Sequence, residues 1–215
     1  LTIDPSALIA RRRAAQDERE RLAADRWRRF QAASVRRHGA KARRRQPAGL
    51  AALLARGKSP GRMLLLLASG VWDNRLDRSL GSMDGPTASL GDYVRAGPDP
   101  TAQPRALFDQ SWYLQTAPAL AGSRWAPLAH YLAIGDSHNL SPHPLFDAAA
   151  YRGRQGARMA AARMTALEHF LFDGAGQGVN PHPLFDLAYY VGQCEAVAQS
   201  GENPLIHYLR AGWRE

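Results

Sequence analysis

A hexapeptide, Pro-His-Pro-Leu-Phe-Asp, runs from Pro142 to Asp147 and recurs from Pro181 to Asp186, an offset of 39 residues. A shorter relative, Arg-Ala-Leu-Phe-Asp, lies upstream at Arg105 to Asp109, so Phe-Asp pairs fall at Phe108-Asp109, Phe146-Asp147 and Phe185-Asp186. About 22 residues beyond each Phe comes a second shared element: PLAHYLAIG (Pro127 to Gly135), ALEHFLFDG (Ala166 to Gly174) and PLIHYLRAG (Pro204 to Gly212). A weaker match, SLGDYVRAG (Ser89 to Gly97), sits one period earlier, with Trp72-Asp73 in the place of its Phe-Asp pair. Self-similarity at 38 to 39 residues describes a chain built from equivalent units, none of which buries its apolar face alone.

The shared residue types assign the local structure. Asp is a favoured N-cap because its carboxylate accepts from the orphan N–H groups of the first turn. With Asp109, Asp147 and Asp186 as caps, Phe108, Phe146 and Phe185 precede the cap and Tyr113, Tyr151 and Tyr190 stand four residues after it. That pairing is a hydrophobic staple. In the second element, Pro127 and Pro204 suit the first helical position, Asn203 suits a cap, and Gly135, Gly174 and Gly212 suit a left-handed position after the last turn. A helix of about two turns results, with Leu128, Tyr131 and Leu132 on one apolar face. The Pro-His-Pro stretch between units is extended, since each proline pushes its predecessor out of the helical region. The expected fold is all-α: a short α-solenoid of units of about 38 residues.

Charge separates the first third from the rest. Residues 1–62 hold 17 Lys and Arg against 5 Asp and Glu, whereas the remainder holds 11 against 14, so the net +9 of the chain arises entirely near its start. The predicted organisation is a basic amphipathic helix over 1–46, a helical hairpin over 47–71 packing on the array, a degenerate first repeat over 72–105, and three helical repeats over 106–215. Thr2 or Asp4 can cap the first helix, with Pro5 in its first turn. Short helices are expected over 48–56 and 62–69, joined by a turn at 57–61. The apolar runs Leu50 to Leu54 and Met63 to Ala68 fall well short of the roughly 20 residues of a membrane span. The start, Leu-Thr-Ile-Asp, lacks the basic and apolar regions of a signal peptide. Cys194 is the sole cysteine, so no internal disulfide is available.

Few constellations carry chemistry. His130, His169 and His207 recur at one slot, and His143 and His182 at another. Their spacing of about 38 residues is that of a structural role in every unit and not of a metal site, where ligands come at short spacing. The expected partner of each imidazole is a neighbouring backbone group or cap. Trp112, Tyr113, Tyr131, Tyr189, Tyr190 and Tyr208 either line a sugar-stacking groove or belong to the core. Of these slots, Trp112, Tyr131, His130, His169, His207 and Tyr208 are the candidates for glycan or partner contact. Cys194 has no basic neighbour in sequence that would lower its pKa, and the Gly174 to Gly178 run comes after a helix and reads as a turn. No phosphate loop, nucleophile elbow or zinc-protease motif is present, so no catalytic residue and no cofactor or metal are assigned.

The combination of LFDQSWYL, PLAHYLAIG, SPHPLFD, PHPLFDLAYY and NPLIHYLRAG resembles repeats attached to bacterial glycosyltransferases of the rhamnan-synthesis and capsule or O-antigen type. The resemblance covers about Ala106 to Glu215. It implies an accessory, non-catalytic binding or scaffolding region of a glycan-assembly enzyme, cytoplasmic and peripheral to the inner membrane, whose partner is a protein of the polysaccharide-assembly machinery or the glycan itself. Unit two departs from the pattern, having Tyr151-Arg-Gly-Arg-Gln where a second aromatic-Leu helix is expected. A fragment of a glycosyltransferase whose catalytic domain lies elsewhere is the alternative within this family.

The basic segment offers two further readings. Arg11, Arg12, Arg13, Arg28, Arg29, Arg36, Arg37, Arg43, Arg44 and Arg45 are candidates for anion binding, to lipid headgroups or to nucleic acid. Asp17, Glu18, Glu20 and Asp25 are interleaved at i, i+3 and i+4 with the first clusters, as on an ordinary solvated helix. That patterning favours the membrane or partner reading over nucleic acid.

Overall fold

The computed structural model describes residues 5–42, 59–72, 90–101 and 107–214. Among them the chain is all-α, with no strand and only two isolated bridges, His143 to Phe146 and His182 to Phe185. The expected caps at Thr2 and Asp4, the helix over 48–56 and the arginines at 43–45 lie outside the described residues.

Helix α1 spans Pro5–Ala42, α2 Ser59–Ser69 and α3 Leu90–Ala96. The remaining helices are α4 Gln110–Thr116, α5 Pro127–Ala133, α6 Ala148–Ala162, α7 Ala166–His169, α8 Leu187–Gln193, α9 Glu195–Ser200 and α10 Pro204–His207. Both α7 and α10 continue into a widened π turn, Phe170–Gly174 and Tyr208–Gly212. Helix α2 begins inside the expected 57–61 turn, at Ser59, because Pro60 and Gly61 fall in its first turn, where a missing N–H costs nothing.

The three aspartate caps form as the sequence predicts. Asp109, Asp147 and Asp186 have extended backbones and accept from the third helical N–H, at 3.0 Å from Trp112 and 2.9 Å from Ala150 and Tyr189. The staples close as well, with ring centroids 5.0 Å apart for Phe108 and Tyr113, 5.2 Å for Phe146 and Tyr151, and 5.6 Å for Phe185 and Tyr190. Beyond their first turns the capped helices diverge. Pro118 ends α4 and opens a 3₁₀ turn, Cys194 divides α8 from α9, but the Ala-rich stretch after Asp147 runs on as one 15-residue helix. This long helix is the departure of unit two from the repeat pattern.

Two apolar clusters hold these elements. The larger runs without interruption from Leu65 and Leu66 on α2, through Tyr93, Phe108, Tyr131, Phe146 and Phe170, to Leu205 and Ile206. Helix α2 packs on α3 and α5; the first half of the hairpin expected over 47–71 lies outside the described residues. Arg62 adds a hydrogen bond to the Arg124 carbonyl at 2.7 Å and lies over the Trp125 ring at 4.3 Å. The smaller cluster forms where Phe30 of α1 meets Val191, Val197 and Ala198 of α8 and α9.

The basic first helix is therefore no free-standing segment. Its residues from Ala23 to Arg37 lie against the far end of the chain on a floor of glycines. A Cβ at Gly192 would sit 3.0 Å from that of Ala23, one at Gly176 would sit 2.9 Å from the Ser34 hydroxyl, and one at Gly178 would sit 2.9 Å from the Trp27 ring. At Gly201, which ends α9 at φ +63°, it would come within 2.5 Å of the Ala33 backbone. Arg26 and Arg29 both bind Glu195, Arg26 also donates to the Gly192 carbonyl, and Arg37 donates to the Ser200 carbonyl at 3.4 Å. Hydrogen bonds from Gln199, then from Arg26 and Arg29, hold the Glu195 carboxyl below its usual range. From Ala10 to Leu22 the helix is exposed on all sides.

Gly201→Ala is expected to cost about 1–3 kcal/mol, through a left-handed backbone now carrying a Cβ and a steric conflict with α1. Limited trypsin digestion followed by mass spectrometry should show faster cleavage after Arg26 and Arg29 in the variant. Unchanged cleavage would mean that α1 is not held there.

Candidate functional site

The shared motif residues converge at three equivalent points, each joining the capped helix to the next short helix. The Tyr113 hydroxyl meets His130 Nδ1 at 2.8 Å, Tyr151 meets His169 Nδ1 at 2.8 Å, and Tyr190 meets His207 Nδ1 at 2.7 Å. A phenol that donates here requires the imidazole tautomer with its proton on Nε2, and one that accepts requires a proton on Nδ1. The same tyrosines stand edge-on to the next aromatic, Tyr131, Phe170 or Tyr208, at 5.9 Å in every case. A Cβ at Gly135, Gly174 or Gly212 would overlap the hydroxyl of Tyr113, Tyr151 or Tyr190 respectively.

Two sequence expectations change here. The three glycines are not left-handed helix stops: among the described residues positive φ occurs at Gly70, Gly97, Gly178, Gly201, Asn139 and Arg163. They are glycines because the phenol oxygen occupies the space a side chain would need. The histidines His130, His169 and His207 hydrogen-bond a tyrosine hydroxyl 17 or 18 residues away, not a nearby backbone group. His143 and His182 do behave as expected, accepting through Nδ1 from the N–H of Leu145 at 3.0 Å and Leu184 at 3.1 Å.

Electrostatics fit a structural node. Burial pushes the phenols of Tyr113 and Tyr151 upward, and Tyr93 and Tyr131 likewise. Burial pulls His130, His143 and His169 below the ordinary imidazole value. Beside one node the Asp173 carboxylate lies 3.5 Å from His169 Nε2. Among the described residues no group of three or more His, Cys, Asp or Glu side chains is placed to hold a metal ion.

The surface available for partners is smaller than the sequence suggests. Tyr113, Tyr131, His169 and His207 are buried, so they line no groove. Trp112, His130, Tyr190 and Tyr208 are half-buried, and Tyr189 is exposed. The candidate anion-binding arginines divide in the same way. Arg11, Arg12 and Arg13 are exposed on the free part of α1, Arg28 and Arg29 pair with Asp25, and Arg29 and Arg37 also reach α9. Arg36 is exposed. No helix of the described residues is long and apolar enough to cross a membrane.

A second set of bonds was not foreseen. Tyr93 accepts the N–H of Leu128 at 3.0 Å and donates to Gln110 at 2.8 Å. Tyr131, in the same motif slot, accepts the N–H of Leu167 at 3.3 Å and donates to Asp136. Asp136, buried, also takes the Ala166 N–H at 2.8 Å and an ion pair from Arg152. Thr165 and Glu168 close a capping box around the start of α7, a Thr-x-x-Glu signature legible in the sequence.

Two expected outcomes test the node. Gly174→Ala should destabilise the chain by about 1–3 kcal/mol, and Tyr151→Phe in the same chain should recover part of that loss by removing the overlapping oxygen. Urea unfolding of the single and double variants measures the coupling, with Gly122→Ala, which meets nothing within 4 Å, as the neutral control. Additive costs would sink the steric account. For pH, the depressed imidazoles mean that the unfolded chain binds more protons than the folded one just below about 6.5. Stability should thus fall as pH drops from about 7 toward 5, and fall less in His143→Asn, whose amide oxygen can keep the turn.

Compared with protein-family models, with curated proteins and with solved structures, the chain matches none of them.

Proposed function

We propose that the chain is a non-catalytic binding or scaffolding module, a short α-solenoid of about 38-residue units, serving bacterial surface-polysaccharide assembly beside a glycosyltransferase. One observation carries the binding part of this reading: the aspartates, tyrosines and histidines of the motif are occupied in caps and phenol-imidazole bonds. Residues with the potential for acid-base chemistry are thereby spent on architecture. What remains for a partner is surface, above all the exposed stretch of α1 with Arg11, Arg12 and Arg13. Assignment to polysaccharide assembly is supported by the motif resemblance.

A protein partner is favoured over a glycan, because Tyr113 and Tyr131, which would stack on sugars, are buried. An anionic membrane surface is a second contact suited to the free part of α1, where clustered Lys and Arg gain roughly 1 kcal/mol each. Nucleic acid is disfavoured, since Arg26, Arg29 and Arg37 are engaged by α8 and α9.

A photo-crosslinking residue at Ala15, in cells that encode the protein, should yield adducts with a component of the polysaccharide machinery, identified by mass spectrometry. Adducts dominated by nucleic acid would overturn the reading. Co-sedimentation with vesicles should require anionic lipid and weaken when Arg11, Arg12 and Arg13 are replaced by Gln; equal pelleting with neutral vesicles would remove the membrane contact.

A further inference from the structure

Helix α2 is apolar on both sides. Leu65 and Leu66 face inward, 3% and 0% exposed, on the side that packs against α3 and α5. On the opposite side Met63, Leu64 and Leu67 are 39%, 46% and 53% exposed, and Ala68 is exposed with them. These positions, i, i+1, i+4 and i+5, form one stripe with no polar side chain in it. A helix that is hydrophobic all round is normally covered all round. Single exposed leucines need no account, but a contiguous apolar patch does. Three large exposed apolar side chains stand on α2, more than on any other described helix.

Charge decides what this face fits. From Arg26 to Trp72 the sequence holds twelve Lys and Arg and neither Asp nor Glu, and α2 lies at the end of that stretch. On the folded surface Arg62 stands at the border of the outward face, its guanidinium 4.3 Å over the Trp125 ring and bonded to the Arg124 carbonyl, and Arg124 is itself exposed. Of the two helices behind α2, α5 has no carboxylate, and the single one of α3, Asp92, is paired with Arg95. An apolar helix face bordered by cations matches a bilayer with anionic headgroups, where apolar side chains enter the acyl boundary and cations stay among the phosphates. A second copy fits poorly. A two-fold contact would bring two cationic borders together, and four side chains cover far less than the roughly 800 Å² per partner of a stable interface.

We propose that the outward face of α2 docks on an anionic bilayer, with Met63, Leu64 and Leu67 below the headgroups and Arg62 and Arg124 among them. With 11 residues, against the roughly 20 of a span, α2 lies in the plane of the surface and does not cross it. Its inward side stays on α3 and α5, so docking requires no rearrangement of the core. The exposed stretch of α1 is then a separate contact made by charge alone. This docking rests on the membrane contact of the proposed function and is independent of the pathway assigned there.

The test uses the full chain with Leu67→Cys labelled by an environment-sensitive fluorophore and Cys194→Ser to leave no second thiol. Vesicles containing phosphatidylglycerol should shift the emission to the blue, and lipids brominated in their acyl chains should quench it; pure phosphatidylcholine should do neither. An unlabelled chain carrying Leu64→Glu and Leu67→Glu should bind the anionic vesicles at least tenfold more weakly, with unchanged thermal unfolding. A probe that stays silent while the chain pellets with anionic vesicles would overturn the α2 contact and leave that of α1. Failure of the unmodified chain to bind those vesicles would overturn both. If the chain with Arg11, Arg12 and Arg13 replaced by Gln still brings the Leu67 probe into the acyl region, the α2 contact stands and that of α1 falls. An equal response from the same probe at Ala160 of α6 would mean that the dye alone partitions, and would overturn the docking. So would lowered thermal stability of the Glu variant, which would place the face inside the chain's own fold, or a lipid-independent shift that grows with protein concentration, which would make a second copy the occupant.

Discussion

The hydrogen bond between a tyrosine hydroxyl and imidazole Nδ1 is the contact on which the rest of this structure depends. A tyrosine hydroxyl taken out of water without a partner is costly, and a typical satisfied bond is worth about 1 kcal/mol net. At each node the histidine satisfies it, and the adjacent glycine leaves room for the oxygen. The capped helices α4 and α8 have seven residues each and the short helices α7 and α10 only four before widening. Helices of that length are marginal in isolation, so their persistence comes from being pinned to one another. The constant 5.9 Å between each tyrosine and the next aromatic ring shows how closely the pinning fixes the angle.

Away from the node the chain tolerates variation, and substitutions are compensated locally. Phe170 stands where Tyr93 and Tyr131 stand in their copies and has no hydroxyl to offer the following helix. The N–H of Leu205 is instead taken by the side chain of Asn203, at 3.1 Å. Conversely, the cap position before α5 is Ala126, whose side chain cannot cap, and there the Leu128 N–H donates to the Tyr93 hydroxyl. One orphan donor is thus met either from within the helix or from the preceding element.

Caps and staples were legible because they join residues three to five apart, where side-chain type alone limits the geometry. The phenol-imidazole pairs were not, since nothing in the spacing of Tyr151 and His169 says that the two helices fold back on each other. The glycines misled for a related reason: a glycine after a short helix fits both a left-handed stop and a close approach, and only the position of the tyrosine oxygen decides. Hardest to read was the docking of α1. Ala23, Ser34 and Trp27 are ordinary residues for a basic helix, and their partners Gly192, Gly176 and Gly178 are separated from them by well over a hundred residues. The buried slots His169, His207 and Tyr131 looked like surface candidates because recurrence in sequence does not distinguish an inward from an outward direction.

That distant docking has a consequence in time. Most of the molecule is joined between neighbours along the chain, a topology that assembles quickly, whereas Arg26 and Glu195 are 169 positions apart. During synthesis from the N-terminus, the long helix emerges before α8 and α9, and Trp27 and Phe30 lack their cover until residues 187–200 have left the ribosome. Its closure onto α8 and α9 is a long-range step that waits for both to be made, and the interval before it leaves two aromatic side chains open to capture by a chaperone or by another molecule.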